Sequence, residues 1–177
     1  IMSKQLGRMI GLSENEMNNL ELLATLHDIG KIGISDKILN KPGRLSDEEI
    51  ETIKLHTVKG ERILGQSRDL KNSHFADCIR SHHERFDGQG YPDGLAGEKI
   101  LQMARIIAIS DTFDAMTSLR PYRQKLSTRE ALNELQRCAG SQLDPKLVEL
   151  FCAMMDDEQL NLETSGYSFK TLNLSTG

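Results

Sequence analysis

Tryptophan is absent from this 177-residue chain, and aromatic residues make up only 5% of it. A core with so few rings is built from Leu, Ile, Met and Ala, which favours helices. No run of 18 apolar residues occurs, so no membrane span is expected. No signal peptide is visible either. The three cysteines, Cys78, Cys138 and Cys152, are odd in number and lack a CxxC pair. They read as reduced thiols of a cytoplasmic protein rather than a disulfide framework. Positive charge is not in excess: the net charge is -4. That argues against a general nucleic-acid binder, which needs a basic face. A small anionic ligand stays open, because local cations can outweigh a mild global charge. Repeats and low-complexity linkers are also missing, and the length suits one domain with a substantial core.

What is present is a clear set of helix signals. Ser13 with Glu16 forms a capping box ahead of Met17, Leu20, Leu23 and Ala24. That face continues to His27, and Ile29-Gly30-Lys31 ends the helix, with Gly30 free to turn left-handed. Lys41-Pro42-Gly43 reads as a turn. A second box, Ser46 with Glu49, opens a helix expected to run through Ile50, Ile53, His56, Gly60 and Ile63. A third helix is expected over about 75–85, placing Ala76, Ile79, His82 and His83 on one face. The stretch from Asp87 to Gly94 is too rich in turn residues to be helical. A fourth helix carries Ile100, Met103, Ala104, Ile107, Asp111 and Asp114. Ser127 with Glu130 opens a fifth, and Asp144-Pro145 a sixth. Beyond Asp156 the chain reads as a loosely packed tail.

Histidine is scarce, yet four of the five histidines fall into one candidate set: His27-Asp28, His56 and His82-His83, joined by Asp111. Taken singly, each has an ordinary explanation as a core histidine or ion-pair residue. Together they come from the inner faces or ends of four predicted helices. Imidazole with carboxylate suits iron, manganese or zinc better than calcium or magnesium. A carboxylate such as Asp28 or Asp111 can bridge two cations about 3.5–4 Å apart, and such a pair generates a strong nucleophile from water near neutral pH. Lys31, Arg120 and Arg123 are cations able to bind phosphate. Gly88, Gly90 and Gly94 could admit a ligand close to the backbone. Tyr91 could stack on a base. His74 fits no inward pattern and reads as a surface residue.

The order and spacing of these pieces is specific. His27-Asp28-Ile29-Gly30-Lys31 is followed by Lys41-Pro42-Gly43, His56 and His82-His83-Glu84. Asp87-Gly88, Gly90-Tyr91-Pro92, Asp111 with Asp114-Ala115, and Arg120-Pro121-Tyr122-Arg123 complete the series. The pattern resembles the HD-GYP domain, a bacterial subgroup of the HD hydrolase superfamily, over roughly residues 6–151. The resemblance implies an all-α HD-superfamily helical bundle with a buried metal centre, residues 1–155 forming the catalytic domain and 156–177 a C-terminal tail. It implies two or three divalent metal ions, most often Fe or Mn, held by His27, Asp28, His56, His82, His83 and Asp111. It implies catalysis by Asp28 and Lys31, and substrate contacts from Lys31, Gly90, Tyr91, Arg120 and Arg123.

The implied substrate is cyclic di-GMP, opened to pGpG and often carried on to GMP, in a bacterial cytoplasm. Implied partners are diguanylate cyclase (GGDEF) domains, reached through the Gly90-Tyr91-Pro92 loop, and an upstream sensory or receiver domain; a homodimer is compatible with all of this. The pattern also calls for a further histidine on the preceding helix and, in trinuclear members, a glutamate one turn earlier. Glu14, Glu16 and Glu21 fall too late for either role, so residues are expected upstream of Ile1. Two rival readings stay open: a non-catalytic module binding the dinucleotide or a cyclase, and an HD phosphohydrolase for another nucleotide such as cyclic GMP-AMP.

Overall fold

The capping boxes start helices where the sequence places them. A computed structural model describes residues 2–66, 74–119 and 124–164, with side chains described up to residue 157. Among the described residues there are nine α-helices and no extended strands. Helix α1 spans Met2–Met9 and α2 spans Glu14–Leu26, opened by the reciprocal Ser13–Glu16 box. A 3-10 turn over Ile29–Gly33 and the short α3, Asp36–Leu39, lead to α4, Asp47–Lys54, opened by Ser46 and Glu49. Then come α5, His56–Gly65, and α6, Phe75–Ser81. After a long loop, α7 spans Gln102–Thr117. The last two are α8, Thr128–Cys138, with its Ser127–Glu130 box, and α9, Pro145–Thr164. No helix among the described residues is long and apolar enough to cross a membrane.

Helix α7 is the central element. It contacts α1, α2, α6, α8 and α9. Ile106, Ile107, Ile109 and Phe113 of α7 are buried with Leu6, Leu20, Leu23, Ile79, Leu135 and Phe151. The Phe113 and Phe151 rings meet edge to face, with centroids 5.2 Å apart. Asp144 caps α9, accepting from the Lys146 and Leu147 N–H groups, and is buried in an ion pair with Arg105 of α7.

Five expectations need correction. The third helix stops at Ser81 rather than near Arg85, so His82 and His83 lie past its end. The second is two helices, α4 and α5, divided at Leu55. Ile100 precedes α7 instead of belonging to it. Chain beyond Asp156 continues as helix to Thr164; the rest of the expected tail, 165–177, lies outside the described residues. Gly30 is not left-handed. It sits in the 3-10 turn and is needed for another reason: a Cβ there would come 1.8 Å from the His56 carbonyl oxygen and 2.6 Å from the Gly60 nitrogen. That close crossing fixes the 3-10 turn against α5, and so fixes Asp28 beside His56.

Candidate metal centre

Three of the histidines are held by one device. The His27 Nδ1 lies 2.9 Å from the Ala24 carbonyl oxygen, His56 Nδ1 lies 2.7 Å from Ile53, and His82 Nδ1 lies 2.6 Å from Ile79. A carbonyl only accepts, so each Nδ1 carries the proton and donates it. In the neutral ring Nε2 is then left with the free lone pair. Each of these carbonyls is also three residues back, at the end of a helix. The last carbonyls of a helix have no N–H partner within it, and a nearby imidazole can satisfy one. The imidazoles thereby satisfy carbonyls at the C-terminal ends of α2, α4 and α6.

The freed Nε2 atoms converge. His56 Nε2 and His82 Nε2 are 3.3 Å apart. One ligand atom from each of Asp28, His56, His82 and His83 falls within 4.8 Å of the others. Asp28 faces two ways: Oδ1 is 3.4 Å from His56 Nε2, and Oδ2 is 3.5 Å from His27 Nε2. His27 Nε2 in turn is 3.7 Å from Asp111 Oδ1. So all six candidate ligands are brought together. Four gather around one point, while His27 and Asp111 stand on the other side of Asp28.

The electrostatics match a cation-binding site. Asp28 Oδ1 is buried and has no hydrogen-bond partner, a costly state for a carboxylate oxygen unless a cation completes it. Two lone pairs aimed at one another from His56 and His82 make the same demand. Burial, reinforced by the charge of His83, pushes His82 down to about 3. Burial, then His56, pushes His83 down to about 4. Burial also lowers His56. These three rings are neutral at neutral pH, the form a metal requires. His27 differs: burial works against its charge, but Asp111, the Ala24 carbonyl and Asp28 together raise it. Burial opposes the charge on Asp28, yet Lys31 and His27 outweigh it and hold the carboxyl below its usual range. The His27 ring does the same for Asp111, against burial.

The remaining candidates surround this centre. Lys31 Nζ, two-fifths exposed, lies 2.6 Å from Asp28 Oδ2. Tyr91 stands over His83, with ring centroids 5.1 Å apart. Burial, then the charges of Asp28 and Asp111, raises its phenol. Gly90 packs on the backbone just after the histidine pair: a Cβ would lie 2.3 Å from the Arg85 nitrogen. A side chain at this position would therefore collide with protein backbone. Gly88 and Gly94 have positive φ and shape the turn. Asp114 accepts from the Ser118 hydroxyl at 3.1 Å. It shares a cavity of about 200 Å³ with His27, Asp111, Ser110, Ser3 and Met2. His74 is a surface residue, paired with Asp77. Arg120 and Arg123 lie outside the described residues.

Two residues near the site carried no role in the sequence reading. Lys54 sits with its ammonium 5.4 Å from the Tyr91 ring centroid, and only the folded loop brings the two together. Glu84 is buried and accepts from the Asp93 and Leu95 N–H groups. Its signal was its place directly after His82-His83.

Known proteins resemble this chain in sequence and in fold. The HD domain family model matches residues 1–147. A cyclic di-GMP phosphodiesterase of Thermotoga maritima is 43% identical over 150 residues, which cover 85% of this chain and 41% of that protein. A solved structure from Vibrio cholerae, described as a cyclic GMP-AMP specific phosphodiesterase, superposes with TM-score 0.66 at 26% identity, over 91% of this chain and 43% of that one. An HDGYP protein from Bdellovibrio bacteriovorus shares the fold, with TM-score 0.68 at 20% identity, over 88% of this chain and 49% of that one. The chain spans about two-fifths of the length of the curated relatives it matches first.

Proposed function

The chain belongs to the HD domain family, and on that premise we propose that it is a metal-dependent phosphodiesterase that hydrolyses cyclic di-GMP to pGpG, GMP or both in bacterial signalling. The single observation that carries the reading is the Asp28 carboxylate, shared between the His27 and His56 imidazoles with one buried oxygen unpartnered. His27, Asp28, His56, His82, His83 and Asp111 would hold divalent ions; the donor set suits iron, manganese or zinc, and the family resemblance implies iron or manganese. Bound in pairs, such ions polarise a phosphoryl oxygen and lower the pKa of water, the chemistry a phosphodiester needs.

The protein's own groups do the rest. Lys31 brings a cation to the rim of the site while bonded to Asp28. From there its ammonium can bind a non-bridging phosphate oxygen, offsetting charge as the bond to phosphorus breaks. By the family resemblance, Arg120 and Arg123 would be further phosphate-binding cations. Tyr91 offers a ring face beside His83, a surface on which a guanine can stack. The Gly90-Tyr91-Pro92 loop would also meet a GGDEF partner. The free cysteines suit the cytoplasm.

The experiment is a product assay on anaerobically metal-loaded protein. The wild type linearises cyclic di-GMP, and Asp28→Ala does not; equal rates would overturn the assignment. Likeness to the cyclic GMP-AMP specific enzyme supports a second substrate. Running cyclic GMP-AMP beside cyclic di-GMP decides the preference by the ratio of kcat/KM.

A further inference from the structure

The loop that carries Tyr91 has no regular structure of its own, yet it is pinned in place from one residue. Glu84 is 4% exposed. Its Oε1 accepts from the Asp93 N–H at 2.7 Å and its Oε2 from the Leu95 N–H at 3.0 Å. Both carboxylate oxygens are thus spent on the far limb of the loop. The near limb touches the same residue: Gly90 rests against the Glu84 backbone, where a Cβ would lie 2.5 Å from Cα. Between the two limbs, the Tyr91 N–H reaches the His83 carbonyl at 3.3 Å.

We propose that Glu84 is a positioning residue: it fastens the Tyr91 loop to the histidine pair directly before it, so that the centre and the wall of the substrate pocket are set as one unit. The proposal rests on the reading of Tyr91 as part of that pocket. A carboxylate suits the task because it is acceptor-only and faces two donors. Charge-assisted bonds of this kind are the stronger ones. Arg80 adds a second anchor from outside. Its guanidinium grips both oxygens of Asp93, at 2.6 and 2.7 Å, and Glu61 of α5 at 2.7 Å. Asp93 is therefore held by its backbone from Glu84 and by its side chain from α6.

The test is Glu84→Gln, which keeps the shape but turns an amide NH2 toward one of the two N–H donors. Protein labelled with 3-fluorotyrosine reports the Tyr91 environment by 19F NMR, with Tyr91→Phe identifying the resonance among the three tyrosines. The expected result is a shifted or broadened Tyr91 signal, unchanged metal content, and a KM raised about ten-fold with a smaller effect on kcat, as fits loss of one charge-assisted hydrogen bond. Arg80→Met, which leaves Glu84 in place, should move the same signal less. An unmoved Tyr91 signal, or a loss of activity that only follows lost metal, would overturn the proposal. Hydrogen exchange on the wild type stands apart from any folding defect of the variant. The Asp93 and Leu95 amides should be protected like those of α6, and exchange at unprotected rates would also overturn it. Neither the NMR nor the exchange reading needs turnover, so failure of the cyclic di-GMP assignment would be seen separately.

Discussion

His56 Nε2 and His82 Nε2 face one another at 3.3 Å, each with its Nδ1 proton committed to a backbone carbonyl. Two lone pairs at that distance repel unless a cation or a proton lies between or beside them. Burial disfavours the proton on both rings. The fold thus stores a local repulsion that a divalent ion relieves, and the following expectations grow from that.

Metal removal should lower stability. An ion that binds only the folded chain contributes about 2.7 kcal/mol at a hundred times its Kd. For a chain of this length that corresponds to roughly 5–10 °C in Tm. Differential scanning calorimetry with iron or manganese, and after chelation, measures it. His82→Ala should largely abolish the difference. A Tm indifferent to metal in the wild type would count against the centre.

Acid should destabilise the metal-free protein earlier than ordinary carboxylates would. His82 and His83 titrate at about 3 and about 4 when folded, against about 6.5 unfolded. As pH falls below about 6.5 the unfolded chain takes up protons that the folded chain refuses. Stability is then lost at up to about 1.4 kcal/mol per pH unit for each ring. Asp28 and Asp111, both lowered, add loss of the same sign only as pH falls below the ordinary carboxylate range. His27, raised, acts oppositely: its contribution is present below about 6.5 and fades as pH rises through its folded value. Urea titrations between pH 7 and 4 should show the falling limb, and a flat profile would contradict it.

Gly30→Ala should be severe, because Gly30 is buried against α5. The added Cβ meets the His56 carbonyl at 1.8 Å, so the 3-10 turn must move off α5 and take Asp28 with it. Overpacking of this kind costs about 3 kcal/mol. Metal affinity should fall as well. Gly65→Ala is the contrast, because nothing lies within 4 Å of its Cβ. It should be neutral or stabilise by about 0.5–1 kcal/mol through lost chain entropy. Urea denaturation compares the two.

Much of this was legible in the sequence, for local reasons. Ser13–Glu16, Ser46–Glu49 and Ser127–Glu130 are two-residue signals, and each opens a helix as read. The gathering of His27, Asp28, His56, His82, His83 and Asp111 followed from their inward spacing and their resemblance to a known pattern. What the sequence hid was non-local. The periodicity carried α4 through His56 and α6 to Arg85. It held no sign that the imidazoles would turn back on the Ile53 and Ile79 carbonyls where those segments end. Gly30 carried a conventional helix-end signal, but its partner was His56, 26 positions away. Glu84 and Lys54 meet residues of a loop whose path periodicity does not give.

The most direct measurement is anomalous X-ray diffraction at the iron or manganese edge from crystals grown with the metal. The account predicts peaks bonded to Asp28 and to the Nε2 atoms of His56, His82 and His27. Strong metal peaks elsewhere in the molecule, with these atoms bonded only to water or to each other, would contradict it.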